Sequence, residues 1–462
     1  MQIRRFCISL FFATAAATAA ESKLRVGAAK VDFTPPPGPA QLGKYDHERL
    51  YVRAIVLENG TTRAALISLE GSQNEWAATA KLVAAELNCS LANIIMSSTH
   101  THSGATSGGA ANPNAPPSQP VLEAVRQAKA KLQPAKAGFG TGALYLNVNR
   151  DAIAPDTRKW TQYSNQDASS DKTVSVLTFE KPTGEPIAVY VNYAMHPING
   201  YVSGVFSGDF PGAMSRYVEK AFGDDVIVAF TQGTSGDQNP LYLRPSNNMM
   251  ANRAGNKITG FEGNREASEG PLRMPNNNAK NVDAKVLDEM FRFIESEGQI
   301  LGEEVIRVMT WTKKTASDVR IEGVQTVVSC PGRKRTNGDA YDPNTREGIA
   351  GTYVDTPPVK LQIGVLGIGT VALASIDGEV YSQIGLRVKN DAPLKNTVFV
   401  TSANGRGPGY IPDDASYGHQ TFQVLNTNLK PGCAETTIVD TIQDLETQYL
   451  NGNGSRSPRT GD

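Results

Sequence analysis

From Val26 onward the chain alternates short apolar runs with amphipathic segments. Val52–Leu57 and Arg63–Leu69 read as strands, joined as a hairpin across Asn59-Gly60. In Glu75–Leu87 the apolar residues Trp76, Ala80, Val83, Ala84 and Leu87 fall at helical spacing. Asn93–Ser97 reads as a short Ile-rich strand, and Pro120–Leu132 as a helix whose proline sits in the first turn. Val174–Phe179 and Ile187–Tyr193 read as strands, Pro211–Phe222 as a helix, and Val226–Phe230 as a buried strand. Ala284–Met309 has the period of one or two helices. Leu361–Leu366 and Thr370–Ser375 are expected strands, Tyr381–Lys389 a helix, and Thr397–Thr401 a strand. Strands alternating with helices predict an α/β fold: a mixed β-sheet core flanked by helices, in a single large domain. Leu243–Asn281 and Pro331–Pro358 lack either period and read as irregular.

The ends read differently from the middle. Arg4 and Arg5 precede the apolar run Phe6–Phe12, and Ala17-Thr18-Ala19 fits a small-residue cleavage site. Residues 1–20 are therefore expected to be a signal peptide, 21–450 the catalytic domain, and 451–462 a disordered Gly-, Ser- and Arg-rich tail. The apolar run is too short for an anchor, and no later stretch has 18 consecutive apolar residues. The expected location is secreted or periplasmic, with no transmembrane segment in the mature chain.

Charge narrows the partners. With 45 basic and 46 acidic side chains the net charge is -1, so no basic excess favours a nucleic acid. Four cysteines occur. Cys7 leaves with the signal, and among Cys89, Cys330 and Cys433 at most one disulfide can form. Asn88-Cys89-Ser90 and Asn453-Gly454-Ser455 are formal glycosylation sequons.

The candidate chemistry follows strand ends. Only five histidines occur in 462 residues, and four fall in such segments. Thr99-His100-Thr101-His102-Ser103-Gly104 follows the strand Asn93–Ser97. Residues two apart on an extended backbone share a face, so both imidazoles are expected to project together. One can bind a metal while the other handles protons. His196-Pro197 closes the strand Ile187–Tyr193. Asp209 behind it can orient a ligand histidine or cap the following helix. The turn Gly233-Thr234-Ser235-Gly236-Asp237-Gln238-Asn239-Pro240 can present backbone N–H groups to an oxyanion. Glu379 follows Thr370–Ser375; it can supply a metal oxygen or serve as a first-turn acid of the next helix. A Gly- and Pro-rich turn then carries Tyr410, with Tyr417 and His419 behind. Two histidines and a carboxylate on strand ends make a plausible open zinc site.

The opening Val26–Pro36 and the block Thr99–Gly104 resemble the catalytic domain of the neutral (non-lysosomal) ceramidase family, from about Leu24 to Val424. That family comprises secreted or surface zinc amidases. The resemblance implies Zn²⁺ held by His100, His196, Glu379 and Tyr410. It implies His102 as the adjacent active-site histidine and Arg150, of the Asn149-Arg150 pair, as the group holding the reacting carbonyl. Asn239 stands where the family's Gly-Asp-x-Ser-Pro turn has its serine, and Tyr417 lies near a further active-site tyrosine. Asp209 and Asp237 are expected to support these groups. At 462 residues the chain is expected to be too short for the family's C-terminal immunoglobulin-like domain. The expected function is zinc-dependent amide hydrolysis of a small-molecule or lipid substrate. A small non-lipid substrate, or an inactive binding protein, is the alternative.

Overall fold

The computed structural model describes residues 23–34, 49–71, 76–102, 118–155, 157–200, 206–241, 284–342, 347–405 and 407–452. The expected signal peptide, the tail beyond 452 and the whole of Leu243–Asn281 lie outside them.

Eighteen strands and seven α-helices make up the described chain. The strands are β1 (Leu24–Asp32), β2 (Tyr51–Asn59), β3 (Thr62–Leu69), β4 (Ile94–Ser98), β5 (Gln133–Pro134), β6 (Lys136–Ala143), β7 (Asn147–Ile153), β8 (Trp160–Asn165) and β9 (Thr173–Glu180). They continue with β10 (Pro186–Tyr193), β11 (Ile227–Gln232), β12 (Gln238–Pro240), β13 (Ile321–Arg335), β14 (Tyr353–Ile368), β15 (Val371–Ile376), β16 (Glu379–Val380), β17 (Asn396–Val400) and β18 (Tyr410–Ile411). The helices are α1 (Ala77–Leu87), α2 (Ser118–Ala130), α3 (Asp209–Ala221), α4 (Ala284–Trp311), α5 (Ser382–Asp391), α6 (Phe422–Asn426) and α7 (Ala434–Leu450).

The α/β reading holds, but three principal sheets share the core instead of one. Their strand orders are β4-β3-β2-β1-β5, β11-β10-β9-β6 and β13-β14-β15-β17, each with one parallel pair at an edge. Side-chain alternation gives each sheet two buried faces. Leu24, Ile55 and Leu66 of the first sheet, Phe179 and Tyr190 of the second, and Leu373 and Val398 of the third meet in one common cluster. The opposite faces meet helices: α1 and α2 on the first, α3 and α4 on the second, α5 and α7 on the third. Burial on both faces explains why so many of these strands are continuous apolar runs. Arg53 of β2, fully buried, bonds Glu70 and Glu219 of α3, tying the first sheet to the second sheet's helix layer.

The Pro331–Pro358 expectation is corrected. Its two ends, Pro331–Arg335 and Tyr353–Pro358, belong to a long antiparallel hairpin of β13 and β14. The register shifts between Cys330 and Gly332, which face Val359 and Thr356. Pro331, Pro357 and Pro358 are gathered at that one break, where missing N–H groups cost no ladder bond. The arms are largely exposed, so no apolar alternation announced them. Cys330 and Cys433 form a disulfide that fixes this hairpin to the start of α7, and Cys89 is free. The small sheet β12-β7-β8 was likewise unread in the sequence.

The carboxyl ends of the parallel pairs are stitched together. Ser97 bridges Ala403, the Thr401 N–H donates to the Gln232 carbonyl at 2.9 Å, and the Ser68 hydroxyl donates to the Phe230 carbonyl at 2.5 Å. The loops leaving β4, β10, β11, β15 and β17 therefore share one rim.

Candidate metal centre

His196 is the best-buried of the candidate metal ligands. It stands three residues past the last paired position of β10 and is wholly inaccessible to solvent. Its Nδ1 lies 2.7 Å from the Ser235 carbonyl and 3.2 Å from that of Gln238. Two carbonyls can only accept, so Nδ1 carries the proton and Nε2 presents its lone pair. Burial, reinforced by the Arg150 charge, pushes the His196 pKa down to about 4, so the ring is neutral at neutral pH.

That lone pair faces another acceptor. Glu379 Oε2 is 3.0 Å from His196 Nε2 and 3.3 Å from His100 Nε2. Burial alone would raise the Glu379 pKa; the adjoining histidines outweigh it and hold the carboxyl well below its usual range. His100 Nε2 is itself buried and makes no hydrogen bond. A neutral imidazole nitrogen and a carboxylate oxygen at this distance repel unless a cation lies between them. Donors about 2.0–2.1 Å from a tetrahedral ion sit about 3.3 Å apart, close to both separations. The donor nitrogens of His100, His102 and His196 also lie within 4.8 Å of one another. The residues present thus fit a divalent ion of the nitrogen-and-oxygen-loving kind.

His100 and His102 come together by a route other than strand alternation. β4 ends at Ser98, and His100 adopts the left-handed conformation, φ +66°. A non-glycine residue held there is strained by about 1 kcal/mol or more and marks an over-determined site. Its N–H is anchored on the Gly71 carbonyl, and that of His102 on the Pro197 carbonyl, 2.8 and 3.1 Å. The two rings meet edge to face at 4.9 Å.

Glu379 and Tyr410 are register partners in the parallel pair β16–β18. Burial and the Glu379 charge raise the Tyr410 pKa, so its hydroxyl keeps its proton in the metal-free protein. The Gly233–Pro240 turn packs directly behind. The Gly236 N–H donates to the Val380 carbonyl at 2.8 Å, and a Cβ at 236 would fall 2.5 Å from the Glu379 carbonyl. Only glycine permits that approach.

Arg150, on β7, faces the same place with its charge already held. Nη2 donates to the Gly236 carbonyl at 2.6 Å and Nη1 to Asn239 Oδ1 at 3.2 Å. The Gln423 amide oxygen, in the orientation that satisfies its neighbours, accepts from Nε at 2.5 Å and Nη2 at 3.0 Å. The guanidinium lies 5.5 Å from the Tyr410 ring centre.

The other expected residues divide. Asp237 accepts from the Ser382 N–H, the Ser382 hydroxyl and Asn149 Nδ2, each at 2.8 Å, so it ties the turn to α5 and β7. Asp209 accepts from the N–H groups of Phe210 and Gly200, 2.7 and 2.8 Å. Its hydrogen bonds hold the first turn of α3 and the loop after His196, and none of them is to a histidine. The Tyr417 hydroxyl donates to the Leu429 carbonyl at 3.2 Å, with Arg333 over its ring, and makes no hydrogen bond to the histidine cluster.

Sequence reasoning passed over Gln423, Tyr381 and Asp151. The Tyr381 hydroxyl donates to Asp151 Oδ2 at 3.1 Å, and His419 Nδ1 lies 3.2 Å from the same oxygen while stacking on Trp160. Tyr381 stands two residues beyond Glu379 and Asp151 one beyond Arg150, so proximity in sequence was a usable signal. Gln423 offered none.

With this geometry in place, the comparisons with known proteins can be read. A family model described as neutral/alkaline non-lysosomal ceramidase, N-terminal, matches residues 29–335, more than half of the chain. The chain belongs to the neutral/alkaline non-lysosomal ceramidase family. Two Dictyostelium discoideum proteins of that family, neutral ceramidase B and neutral ceramidase A, are 30% and 29% identical over 176 residues. Those matches cover 34% and 33% of this chain and only 24% and 25% of the relatives' own lengths. A solved ceramidase complexed with C2 aligns over 96% of this chain and 78% of its own, with TM-score 0.68 and 17% identity. Neutral ceramidase from Pseudomonas aeruginosa aligns over 96% and 77%, with TM-score 0.66 and 16% identity. At that identity the two structures establish the ceramidase fold for this chain, not its substrate. Among the described residues no helix is long and apolar enough to cross a membrane.

Proposed function

We propose that this chain is a zinc-dependent amidohydrolase of the ceramidase type, secreted or periplasmic, acting on an N-acyl bond. The observation that carries the reading is the His196 Nε2 lone pair set against the Glu379 carboxylate, with the unpartnered His100 Nε2 beside it. His100, His196, Glu379 and Tyr410 would hold the ion. When bound, Zn²⁺ would lower the pKa of a water from 15.7 to about 7 and polarise a carbonyl.

The chain's own groups supply the rest. The carbonyls of Ser235 and Gln238 fix the His196 tautomer, which keeps Nε2 free for a metal. His102, next to His100 and partly exposed, takes the proton from the attacking water and returns it to the leaving nitrogen, a role worth about 10²–10⁴ in rate. Arg150, already oriented by Asn239, Gly236 and Gln423, offers its charge to the oxygen of the reacting carbonyl without reorganising. Asn239 orients Arg150 through its carbonyl oxygen; an amide cannot act as a nucleophile, so the covalent route through a serine is closed at this position.

One observation favours a second reading, a small polar substrate in place of a sphingolipid. The cleft beside His100 and Glu379 is lined by glycines, acids and a serine. A short-chain fluorogenic N-acyl sphingosine and small N-acyl amides, each with and without chelator, test both. Hydrolysis abolished by chelator and restored by zinc is expected. No hydrolysis of any of them by zinc-loaded protein, or hydrolysis indifferent to chelator, overturns the proposal.

A further inference from the structure

The cleft itself carries a specificity element. It is a small cleft of about 40 Å³, partly open to solvent, and is lined by His100, Glu379, Asp377, Ser402 and four glycines. No aliphatic or aromatic side chain lines it among the described residues. Asp377 stands just past the end of β15 and is 6% exposed. Its Oδ1 accepts from the Gln362 N–H at 3.2 Å, a long bond, and among the described residues no donor outside its own residue reaches Oδ2.

The surrounding loop is built to leave that carboxylate reachable. A Cβ at Gly405 would fall 2.3 Å from Asp377 Oδ2, and one at Gly407 would fall 2.4 Å from the Gly378 nitrogen. Any side chain at 405 would sit on the carboxylate. Two of its described residues, Ser402 and Asn404, are left-handed, at φ +52° and +61°. Asn404 Oδ1 accepts from the Met96 N–H at 2.8 Å, and its Nδ2 donates to Ser375 Oγ at 3.3 Å. A buried acceptor with one weak partner, in a fixed polar cleft, is costly unless a ligand supplies the missing donor.

We propose that Asp377 is a specificity-determining residue, accepting a hydrogen bond from a hydroxyl or ammonium group on the part of the substrate lodged beside the metal centre. It selects substrates whose atoms next to the scissile bond carry such a donor. A purely hydrocarbon neighbour leaves the carboxylate desolvated and unpaired, which is the strongest kind of rejection a polar site offers. The inference rests on the metal-centre reading and sharpens it.

The test uses zinc-loaded full-length protein and three probes: 2-amino-1,3-propanediol, isopropylamine and 1,3-propanediol. Ligand-observed NMR titrations compare wild type with D377N. Wild type is expected to bind the amino diol in the millimolar range, and D377N about tenfold or more weaker. The two simpler probes report which donor, ammonium or hydroxyl, the carboxylate reads. Zinc stoichiometry and Tm are measured on both proteins. D377N preserves an acceptor for the Gln362 N–H, so both should be unchanged, which separates recognition from folding. Binding that is equal in the two proteins, or no saturable binding by wild type, overturns the inference. Failure of the protein to hold zinc would instead overturn the metal-centre reading.

Discussion

Arg150 and His196 belong to the same site in opposite states of satisfaction. Arg150 spends Nε and both Nη groups on Gln423, Asn239 and the Gly236 carbonyl. Its charge is complete and oriented before anything binds. On the other side His196 Nε2 opposes a carboxylate, and His100 Nε2 has no hydrogen bond. The arginine side is preorganised for a transition state; the histidine side is unfinished until a cation arrives. A cluster of acceptors with no donor thus marks where a ligand belongs, and a saturated cluster marks what positions it.

The contrast is broken most sharply at His196. H196A should lose bound zinc, measured by metal analysis, and lose activity by about 10³-fold or more, because several kcal/mol of charge stabilisation goes with the ion. Zinc should also protect the wild type thermally. At a thousandfold excess over its Kd the gain is about 4 kcal/mol, read as a rise in Tm, and H196A should show none. A variant that keeps stoichiometric zinc would mean that the facing acceptors are not the ligands.

The arginine side should fail differently. R150A is expected to lower kcat by about 10²–10³-fold with zinc retained, the usual cost of removing a preorganised oxyanion donor. Gln423 touches only the guanidinium and Gln162 in this network. Q423A should therefore cost about tenfold in kcat with little change in KM, since it loosens the aim of Arg150 and removes no charge. Loss of zinc in Q423A would show that the two sides are not separable.

How much of this was readable in the chain follows from the same physics. His100, His196 and Glu379 stood just past strongly apolar strands, where period and burial agree, so the sequence pattern pointed to them; Tyr410 sat on a Gly- and Pro-rich turn and was brought in by the family resemblance. His100 and His102 were paired for the wrong reason: strand alternation was expected, and a left-handed kink at His100 does the work. Arg150 and Asn149 sit on β7, a mostly polar strand that hydropathy did not reveal. The family resemblance, not the pattern, brought them in. Gln423 was invisible, because an isolated amide on a five-residue helix has no local signature. Of the β13–β14 hairpin only Leu361–Leu366 was legible; its outer arms were lost for a related reason, since long-range pairing, not local preference, overrides three prolines.

A third buried cluster shows the other way to relieve facing acceptors. Asn199 Nδ2 donates to Glu297 Oε2 at 2.5 Å and lies 3.5 Å from Asp209 Oδ1. No imidazole is involved, and the two acids are relieved by a proton in place of a cation. Burial pushes the Asp209 pKa up to about 6. Burial and the Asp209 charge together hold Glu297 well above its ordinary 4.5. In the unfolded chain Glu297 loses its proton near that ordinary value; in the folded chain it keeps it to higher pH. Between those limits the folded state binds more protons, so stability must fall as pH rises from about 4.5 through the raised value. E297Q replaces the protonated acid by a neutral amide and removes that dependence. At pH 8 it should be more stable than wild type by about 1 kcal/mol, with the gap closing as the pH drops toward 4.5. Denaturant melts at several pH values check this. A gap that is constant with pH, or that widens toward acid, would mean that Glu297 is ionised in the fold and that this cluster too awaits a cation.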